Sequence, residues 1–353
     1  MTDAVFESLG DGEQVAFCHD EATGLRAIIA IHSTALGPSL GGTRFRAYAS
    51  ETAALTDVCR LAVGMTLKHA AAGLDQGGGK AVIIGDPRTD RTDALMRAYG
   101  RFVDGLGGRY LTAEDVGTTQ ADMDLLSSVT PYVTGTSESL GGSGDPSPAT
   151  AHGVRFAMSS AAEARWGSPD LAGRHVTILG VGKVGSALAG ELAAAGARLT
   201  VGDIDADAVA RVVDEHGAAA VATDEAHRVE CDIFAPCALG AVLDATTIPQ
   251  LRCEIVTGAA NNQLATDEDD HRLAAREILY VPDFVANAGG VINIAEEIGG
   301  YDHAHAWKRV EAIADTVTAV LARAGAETTT TTEAAVAIAM ERVEAAKLSG
   351  AAG

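Results

Sequence analysis

Two lysines near the start of the chain are candidates for acid and base chemistry. Lys68 lies in a stretch with helical apolar spacing, and Lys80 follows the glycines of residues 77–79, which predict a loop. A glycine loop allows close approach to a ligand, and packing beside a second cation would lower the lysine pKa and supply neutral amine near pH 7. Taken alone, each lysine could instead be a solvated surface charge. The glycines make this second interpretation weaker for Lys80 than for Lys68.

Two adjacent acids, Glu114 and Asp115, follow a short run of strand-forming residues that begins near Tyr110. Folds of the α/β class place ligand-binding groups at the carboxyl ends of strands. A carboxylate here could therefore transfer protons, or it could cap the next turn. Spacing alone does not separate Glu114 from Asp115.

The pattern GVGKVG at residues 180–185 directly follows the strand-forming HVTIL and directly precedes a helical stretch. In this context Gly180 permits a tight turn, Gly182 admits a pyrophosphate to the backbone, and Gly185 allows close packing of helix and strand. Asp203 comes 18 residues after Gly185, where a carboxylate can accept a hydrogen bond from a ribose hydroxyl. Because a carboxylate repels a 2′-phosphate, the pattern predicts NAD rather than NADP. A glycine-rich turn in an ordinary α/β domain is the competing interpretation.

Amide side chains follow two further strand-forming runs. Residues 258–263 (GAANNQ) come after EIVT, and residues 283–290 (DFVANAGG) come after ILYV. These amides could reach a cofactor or a substrate carboxylate, or could form local turns. The ten histidines show no metal-binding spacing and no G-x-S-x-G occurs, so neither a metal site nor a serine hydrolase is predicted.

The lysines and the acid pair belong, by prediction, to a mixed α/β domain over residues 1–147. Residues 135–148 are rich in Gly, Ser and Pro, which predicts the connection between domains. The predicted elements are a hairpin of strands at 14–18 and 25–31, helices at 55–72 and 93–106, and strands at 81–84 and near Tyr110.

The glycine pattern and Asp203 belong to a second domain, predicted over residues 148–331. Strands and helices alternate there, which predicts a doubly wound parallel sheet of the Rossmann type. The threonines of residues 328–332 predict a loop that ends in the N-cap of the last helix. The predicted strands are 176–179, 199–201, 232–234, 254–257 and 278–281, and the predicted helices are 149–166, 184–195, 306–324 and 332–346.

Composition limits the class of protein. The 353 residues suggest two domains, and 48 acidic against 26 basic residues give a net charge of −22, the wrong sign for a nucleic-acid partner. Five cysteines with no C-x-x-C pair favour a reducing cytoplasm. Neither an export signal nor an apolar stretch of the roughly 18 residues needed for a membrane span is visible.

These motifs together resemble the glutamate/leucine/phenylalanine/valine dehydrogenases, and within that family the sequence is most similar to valine and leucine dehydrogenases. The resemblance implies NAD-dependent, reversible oxidative deamination of an L-amino acid to its 2-oxo acid and ammonia, in a cleft between a substrate domain and a Rossmann-type cofactor domain. The matching segments cover nearly the whole chain in the family's order: GPSLGGTR at 37–44, MTLK at 65–68, GGGK at 77–80, AEDVG at 113–117, APCA at 235–238, residues 258–263, and NAGG at 287–290.

The resemblance also implies roles for individual residues. Lys68, with the backbone of Gly41 and Gly42, would hold the substrate carboxylate. Lys80 would activate the attacking water, and Asp115 would exchange protons with the departing amine. The C-terminal helix, residues 332–353, would pack back on the first domain as it does in the family.

For the cofactor, the resemblance implies a larger set of residues. Asn262 would orient both substrate and nicotinamide. The implied cofactor-binding residues are Gly180, Val181, Gly182, Lys183, Val184, Gly185, Asp203, Ala238, Asn262 and Asn287.

The substrate side chain would, by resemblance, contact an aliphatic pocket. Its implied lining is Leu40, Ala113, Val291 and Ile294, none of which can pair with a γ-carboxylate. Glutamate is therefore expected to be a poor substrate, and valine, leucine or isoleucine a good one. Phenylalanine stays open, because Ala113 could leave room for a ring.

Two other classes of function compete with this prediction. One is a catalytically silent NAD-binding regulator, which would not need Lys68, Lys80 and Asp115 together. The other is a 2-hydroxy-acid or shikimate-type dehydrogenase, which would reduce a 2-oxo acid without ammonia. A homo-oligomer is expected, since family members assemble.

Overall fold

The computed structural model describes residues 5–238 and 240–350; the predicted domain limits at residues 1 and 353 lie outside these described residues. The chain divides into two compact units. The first unit contains the chain up to residue 145, residues 293–303 and the chain from residue 339. The second contains residues 146–292 and 304–338. The second unit is thus interrupted, whereas the sequence suggested one continuous segment.

The first unit contains a five-stranded mixed sheet in the order β1-β2-β4-β3-β5. Strands β1 and β2 form the predicted antiparallel hairpin, and β3 runs parallel to both β4 and β5. The elements are α1 Val5–Leu9, β1 Gln14–Asp20, β2 Leu25–Ser33, β3 Ser39–Arg46, α2 Glu51–Ala71, β4 Gly77–Ile84, α3 Asp93–Asp104, β5 Tyr110–Glu114 and α4 Gln120–Ser127.

Helices cover both faces of this sheet. On one face Ile29 and Ile31 of β2 join a core with Met96 and Tyr99 of α3. On the other face, β2 and β4 pack against the apolar side of α2. This double cover explains why seven consecutive residues of β2 are buried instead of alternating.

The glycine run before Lys80 is part of strand β4, so its prediction as a loop is wrong. A Cβ atom on Gly77 would lie 1.9 Å from the Ser33 carbonyl oxygen, and one on Gly78 would lie 2.2 Å from the Thr66 nitrogen. These glycines therefore allow close packing of β4 against β2 and α2. Strand β3 was missed for a similar reason, since Gly41 and Gly42 interrupt its pattern of side chains.

The second unit contains a six-stranded sheet in the order β11-β10-β9-β6-β7-β8, with every pairing parallel. This is the doubly wound order of a Rossmann fold, and it confirms the predicted fold class. Its strands are β6 His175–Leu179, β7 Arg198–Gly202, β8 Ala219–Ala220, β9 Ile233–Pro236, β10 Ile255–Val256 and β11 Leu279–Tyr280.

Nine helices follow along the rest of the described chain. They are α5 Ser147–Trp166, α6 Lys183–Ala194, α7 Ala206–His216, α8 Glu268–Ala275, α9 Asp283–Ala286, α10 Gly289–Ala295, α11 His303–Glu311, α12 Ile313–Glu327 and α13 Thr331–Gly350. Helix α10 crosses the division between the units at residue 292. Helix α13 crosses it at residue 338, and Arg342 then donates hydrogen bonds to the Leu74 carbonyl and Asp75 in the first unit.

Two predicted details near the C-terminus are wrong. The helix predicted over residues 306–324 is two helices, α11 and α12, which break at Ala312 without a glycine or proline to mark the break. The N-cap of α13 is Thr330 rather than the last threonine of the run. Thr330 and Glu333 exchange two hydrogen bonds in a capping box. Among the described residues, no helix is long and apolar enough to cross a membrane.

Candidate active site

The three mutually parallel strands of the first unit, β4, β3 and β5, bring three charged side chains together. Arg44 is on β3, Lys80 is on β4, and Asp115 follows β5 directly. The Lys80 Nζ lies 3.0 Å from Asp115 Oδ2, and the Arg44 Nε lies 3.2 Å from the same oxygen. The Lys80 side chain is only 8% exposed and the Asp115 side chain 20%. One carboxylate oxygen is thus held by two cations at a largely buried position.

This arrangement controls the protonation of Asp115. Burial alone would raise the pKa of the carboxyl, but the charges of Lys80 and Arg44 outweigh it and hold the pKa below its usual range. Asp115 is therefore ionised at neutral pH and can accept a proton. Of the two acids that spacing could not separate, Asp115 is the one that forms an ion pair with Lys80.

Arg44 also contacts a second carboxylate, that of Asp57. Its Nη1 donates to Asp57 Oδ2 on α2 at 3.0 Å, and the Tyr48 hydroxyl donates to the same oxygen at 2.8 Å. Arg60 contacts the other oxygen of Asp57, at 3.1 Å, and is 57% exposed. The charges therefore continue as a connected network from the Lys80–Asp115 pair to the surface of α2.

The backbone around Asp115 is also fixed. Its N–H donates to the Thr118 hydroxyl, which donates to the Thr43 carbonyl. A Cβ atom on Gly42 would lie 2.8 Å from the Asp115 Cβ, and one on Gly41 would lie 1.8 Å from the Gly79 carbonyl oxygen. The two predicted substrate-binding glycines thus let β3 approach its neighbours closely, and Gly42 adjoins Asp115.

Lys68 and His69 lie in the last turn of α2. Lys68 is half-buried. His69 is fully buried, and its Nδ1 donates to the Gly77 carbonyl at 2.7 Å, so its Nε2 carries no proton in the neutral ring. Burial, reinforced by the charges of Lys68 and Lys80, lowers the His69 pKa to about 4. A neutral imidazole therefore lies close to both lysines.

In the second unit, the glycine pattern forms the turn between β6 and α6. Gly180 has a left-handed φ of 101°, and a Cβ atom there would lie 2.6 Å from the Ala238 nitrogen. A Cβ atom on Gly185 would lie 1.9 Å from the Gly180 carbonyl oxygen, whereas nothing lies within 4 Å of one on Gly182. Gly180 and Gly185 are thus required for packing, while the backbone at Gly182 is open to a ligand.

The start of α6 suits a phosphate group. The helix begins at Lys183, and its N-cap, Gly182, supplies no side-chain hydrogen bond to the first turn. Exposed N–H groups at a helix N-terminus bind anions. Lys183 is exposed, Val184 is half-buried and Val181 is buried. These predicted residues therefore form one continuous turn.

Asp203 lies beside the same turn. Its Oδ2 accepts a hydrogen bond of 2.7 Å from the Val181 N–H, and its Oδ1 accepts one from Asp205 N–H. The fixed carboxylate adjoins the place where a dinucleotide would present its ribose in a Rossmann unit. A negative charge there disfavours a 2′-phosphate.

The predicted amides lie beyond β10 and β11. Asn287 is buried, and its Nδ2 donates hydrogen bonds to the backbone carbonyl of Ala259 and to the side-chain Oδ1 of Asn261. The Oδ1 of Asn287 is itself buried and has no hydrogen-bond partner. Asn262 is exposed, with a left-handed φ of 52°. An unpaired buried acceptor and a strained exposed amide are both features of ligand-binding positions.

The predicted pocket residues lie on three elements. Leu40 on β3 and Ala113 on β5 are buried, and Ala113 is the register partner of Gly42. Val291 and Ile294 lie on α10, three residues apart, on opposite sides of the division between the units. All four side chains are aliphatic.

Sequence reasoning missed Arg44, Asp57 and Tyr48. Arg44 stood in the segment that carried the family resemblance, but no role was assigned to it. The available signal was its position two residues after Gly42, on the same strand as the candidate backbone site. Asp57 and Tyr48 gave no such signal, because only the packing of α2 brings them to Arg44.

A doubly wound unit with such a glycine turn is typical of proteins that bind dinucleotides, and the lysine–aspartate pair of the first unit can transfer the protons that a dehydrogenase reaction needs. Sequence models agree. The model described as "Glu/Leu/Phe/Val dehydrogenase, dimerisation domain" matches residues 13–132, and that described as "Glutamate/Leucine/Phenylalanine/Valine dehydrogenase" matches residues 200–350. The chain belongs to this family of amino-acid dehydrogenases, as predicted.

Individual relatives cover nearly the whole chain. A leucine dehydrogenase of Bacillus cereus is 52% identical over 98% of this chain and 95% of its own length. A valine dehydrogenase of Streptomyces coelicolor is 50% identical over 96% of this chain and 94% of its own. Among solved structures, the L-tryptophan dehydrogenase of Nostoc punctiforme is 43% identical, with a TM-score of 0.85, covering 98% of this chain and all of that one.

Proposed function

We propose that this chain catalyses the reversible, NAD-dependent oxidative deamination of branched-chain L-amino acids to 2-oxo acids and ammonia. The observation that carries the proposal is the buried Lys80–Asp115 pair, in a chain that is about half identical to leucine and valine dehydrogenases over nearly its full length. The first unit would bind the substrate and the second the cofactor.

The second unit fits a dinucleotide on its own features. The open backbone at Gly182 and the uncapped start of α6 suit a pyrophosphate, and the carboxylate of Asp203 suits a ribose hydroxyl. The unpaired Oδ1 of Asn287 can accept a hydrogen bond from a carboxamide. Ala238 would contribute through its backbone, which lies beside Gly180 in the glycine turn. Bound there, the nicotinamide would accept the hydride from the substrate α-carbon.

The charged residues of the first unit would do the proton chemistry. Lys68, with the backbone at Gly41 and Gly42, would bind the substrate carboxylate. Asp115, ionised through its contacts with Lys80 and Arg44, would accept a proton from the substrate ammonium group.

After oxidation of the substrate to an imine, water must add to its carbon. Lys80 would act as the base that activates this water and would stabilise the resulting carbinolamine. Asp115 would return a proton to the amine as ammonia leaves. Asn262 would orient the reacting groups.

The substrate preference rests on the aliphatic residues Leu40, Ala113, Val291 and Ile294. They offer no cation for a γ-carboxylate, so glutamate would bind poorly. An aromatic substrate is the second candidate, because the tryptophan dehydrogenase from Nostoc punctiforme has the same fold at 43% identity. Phenylalanine belongs to the same alternative.

We further propose a cytoplasmic homo-oligomer. All five cysteines are free thiols, as a reducing compartment would keep them. The family's own description of residues 13–132 is that of a dimerisation domain.

The test measures NADH formation by the purified protein with L-valine, L-leucine, L-isoleucine, L-phenylalanine, L-tryptophan and L-glutamate, with NADP as a parallel cofactor. Turnover on branched-chain substrates with NAD supports the proposal. A preference for an aromatic substrate supports the second candidate function, a dehydrogenase of aromatic amino acids, in place of the first. Reduction of a 2-oxo acid in the absence of ammonia, or NAD binding without any turnover, contradicts it.

A further inference from the structure

We infer that Arg44 is a positioning residue for the proposed reaction: held by Asp57 and Tyr48, it fixes the orientation and the charge of the Asp115 carboxylate against Lys80. The inference rests on the proposed function for its catalytic meaning. Its structural basis is independent of that function, since it consists of contacts within the first unit.

The guanidinium of Arg44 bridges the carboxylates of Asp115 and Asp57. Its Nε contacts Asp115 Oδ2 at 3.2 Å, while its Nη1 contacts Asp57 Oδ2 at 3.0 Å, and the Tyr48 hydroxyl also donates to that oxygen. Arg44 and Asp57 are each only 18% exposed. A planar guanidinium that contacts two partly buried carboxylates is held in one orientation, which a lysine ammonium could not reproduce.

The sharing of one oxygen gives Arg44 its effect. Lys80 and Arg44 both contact Oδ2, so the carboxylate cannot rotate without losing two cations. Lys80 is the partner that must move protons in the reaction, and its charge there is not constant. Arg44 stays charged at every working pH, so it maintains the Asp115 carboxylate whatever the state of Lys80.

The charged and titratable groups that face Asp115 come from each neighbouring strand. They are Arg44 on β3, Lys80 on β4 and the buried Tyr110 on β5, with Asp57 behind Arg44. Loss of the Arg44 charge leaves Lys80 as the main counter-cation, so the Asp115 pKa rises and the carboxylate is protonated at a higher pH. An opposite charge at this range changes a carboxyl pKa by about 1–3 units.

The experiment compares Arg44→Gln with Arg60→Gln in the full-length chain. Both variants remove one guanidinium that contacts Asp57, but Arg60 is exposed and does not contact Asp115. The reaction is measured in the reductive direction, in which Lys80 starts protonated and Asp115 must start ionised. In kcat/KM against pH, we expect the acidic limb of Arg44→Gln to move up by about one unit or more, and that of Arg60→Gln to stay in place. We expect kcat to fall more than KM rises, because the substrate carboxylate is bound elsewhere.

Two further variants separate charge from orientation. Arg44→Lys keeps the cation and loses the bridge, so its acidic limb should lie near that of the wild type while kcat stays low. Asp57→Asn keeps the Arg44 charge and removes its anchor, so it should also lower kcat while its acidic limb stays near that of the wild type. This kcat serves as the test of orientation if Arg44→Gln does not fold. Acidic limbs that coincide in wild type and Arg44→Gln, or a wild-type kcat in Asp57→Asn, overturn the inference.

A second measurement does not need catalysis. The pH dependence of Tm is compared for wild type and Arg44→Gln, each with Asp115 and with Asp115→Asn. If Arg44 acts on Asp115, the Tm difference caused by Arg44→Gln shrinks as pH falls through the Asp115 titration. With Asp115→Asn this pH dependence becomes smaller, and only the part due to the contact of Arg44 with Asp57 remains. The same pH dependence in both backgrounds overturns the inference. An inactive wild type would contradict the proposed function, and this cycle would still decide the role of Arg44.

Discussion

The candidate site of the first unit is formed mainly by charged side chains, and that of the second unit mainly by backbone. In the first unit the site consists of charged side chains that already hold one another, from Lys80 through Asp115 and Arg44 to Asp57. In the second unit it consists mainly of backbone, with glycines whose missing side chains make room for the chain and for a ligand.

This difference determines which property of a residue matters at each site. In the first unit a substitution changes charge and protonation, and the network can keep the fold intact around the loss. In the second unit a single added methyl group changes packing, and binding fails together with stability. The predictions below test this contrast, from the largest expected effect to the smallest.

Lys80→Ala should have the largest effect, and it should be confined to chemistry. Without the base, kcat should fall by at least about a thousandfold, within the range for lost acid and base catalysis. Asp115 keeps Arg44 as a partner, so no buried charge is left alone and the protein should stay folded and bind NAD. Steady-state NADH formation, NAD titration and thermal unfolding measure the three properties.

The matched control for this variant is Lys347→Ala, since Lys347 is about half exposed and forms an exposed ion pair with Glu344. It should turn over at the wild-type rate. Turnover by Lys80→Ala close to the wild-type rate would remove Lys80 from the mechanism.

Gly180→Ala should damage the second unit through packing. The left-handed φ of 101° and a Cβ contact of 2.6 Å with the Ala238 backbone should cost about 2–4 kcal/mol of unfolding free energy and weaken NAD binding. Gly190→Ala on α6 is the control, because its Cβ would make ordinary contact at 3.5 Å. A helix interior there should gain about 0.5–1 kcal/mol. Urea unfolding with equal stabilities for the two variants would contradict the packing argument.

We expect that burial of His69 near two lysines lowers the free energy of unfolding at low pH. Its pKa is about 4 in the folded chain against 6.5 when exposed. The unfolded chain therefore binds the proton first, and stability is complete above pH 6.5 and is lost as pH falls towards 4. The loss should reach about 3 kcal/mol.

His69→Asn should remove this part of the pH dependence of unfolding, whereas His19→Asn, at an exposed position on β1, should not. A lowered pKa of Asp115 acts in a separate window, since its stabilising effect is lost only below about pH 4. Identical slopes between pH 6.5 and 4 for wild type and His69→Asn would show that His69 takes up its proton without unfolding.

The contrast between the units also explains what the sequence could predict. The glycine turn of residues 180–185 and Asp203 follow from local spacing, because the turn is formed by consecutive residues. In the first unit, Lys80 and Asp115 could be named as candidates from the sequence, but their contact with each other and the participation of Arg44 could not be predicted. Arg44 meets Asp57 only because α2 packs on the sheet, and that contact has no local pattern.

The glycines of residues 77–79 show the same limit of prediction from local sequence. Three glycines in sequence indicate a flexible loop when only local conformation is considered. They are in fact in a strand, because Ser33 and Thr66 approach from distant segments. Segment 293–303 likewise joins the first unit through Glu297, which accepts hydrogen bonds from the backbone of Gly135 and Ser143.

Asp203 places a negative side-chain charge at the site that is built mainly from backbone, and its substitution should have the smallest effect of those predicted. Asp203→Asn keeps an oxygen for the Val181 N–H and removes the charge that would repel a 2′-phosphate. The preference for NAD over NADP in kcat/KM should fall about tenfold, equivalent to about 1.4 kcal/mol. Asp205→Asn is the control, because Asp205 caps α7 two residues away and asparagine caps a helix equally well. If both variants shift the preference equally, the discrimination comes from the general negative charge of this region and not from the carboxylate that contacts the glycine turn.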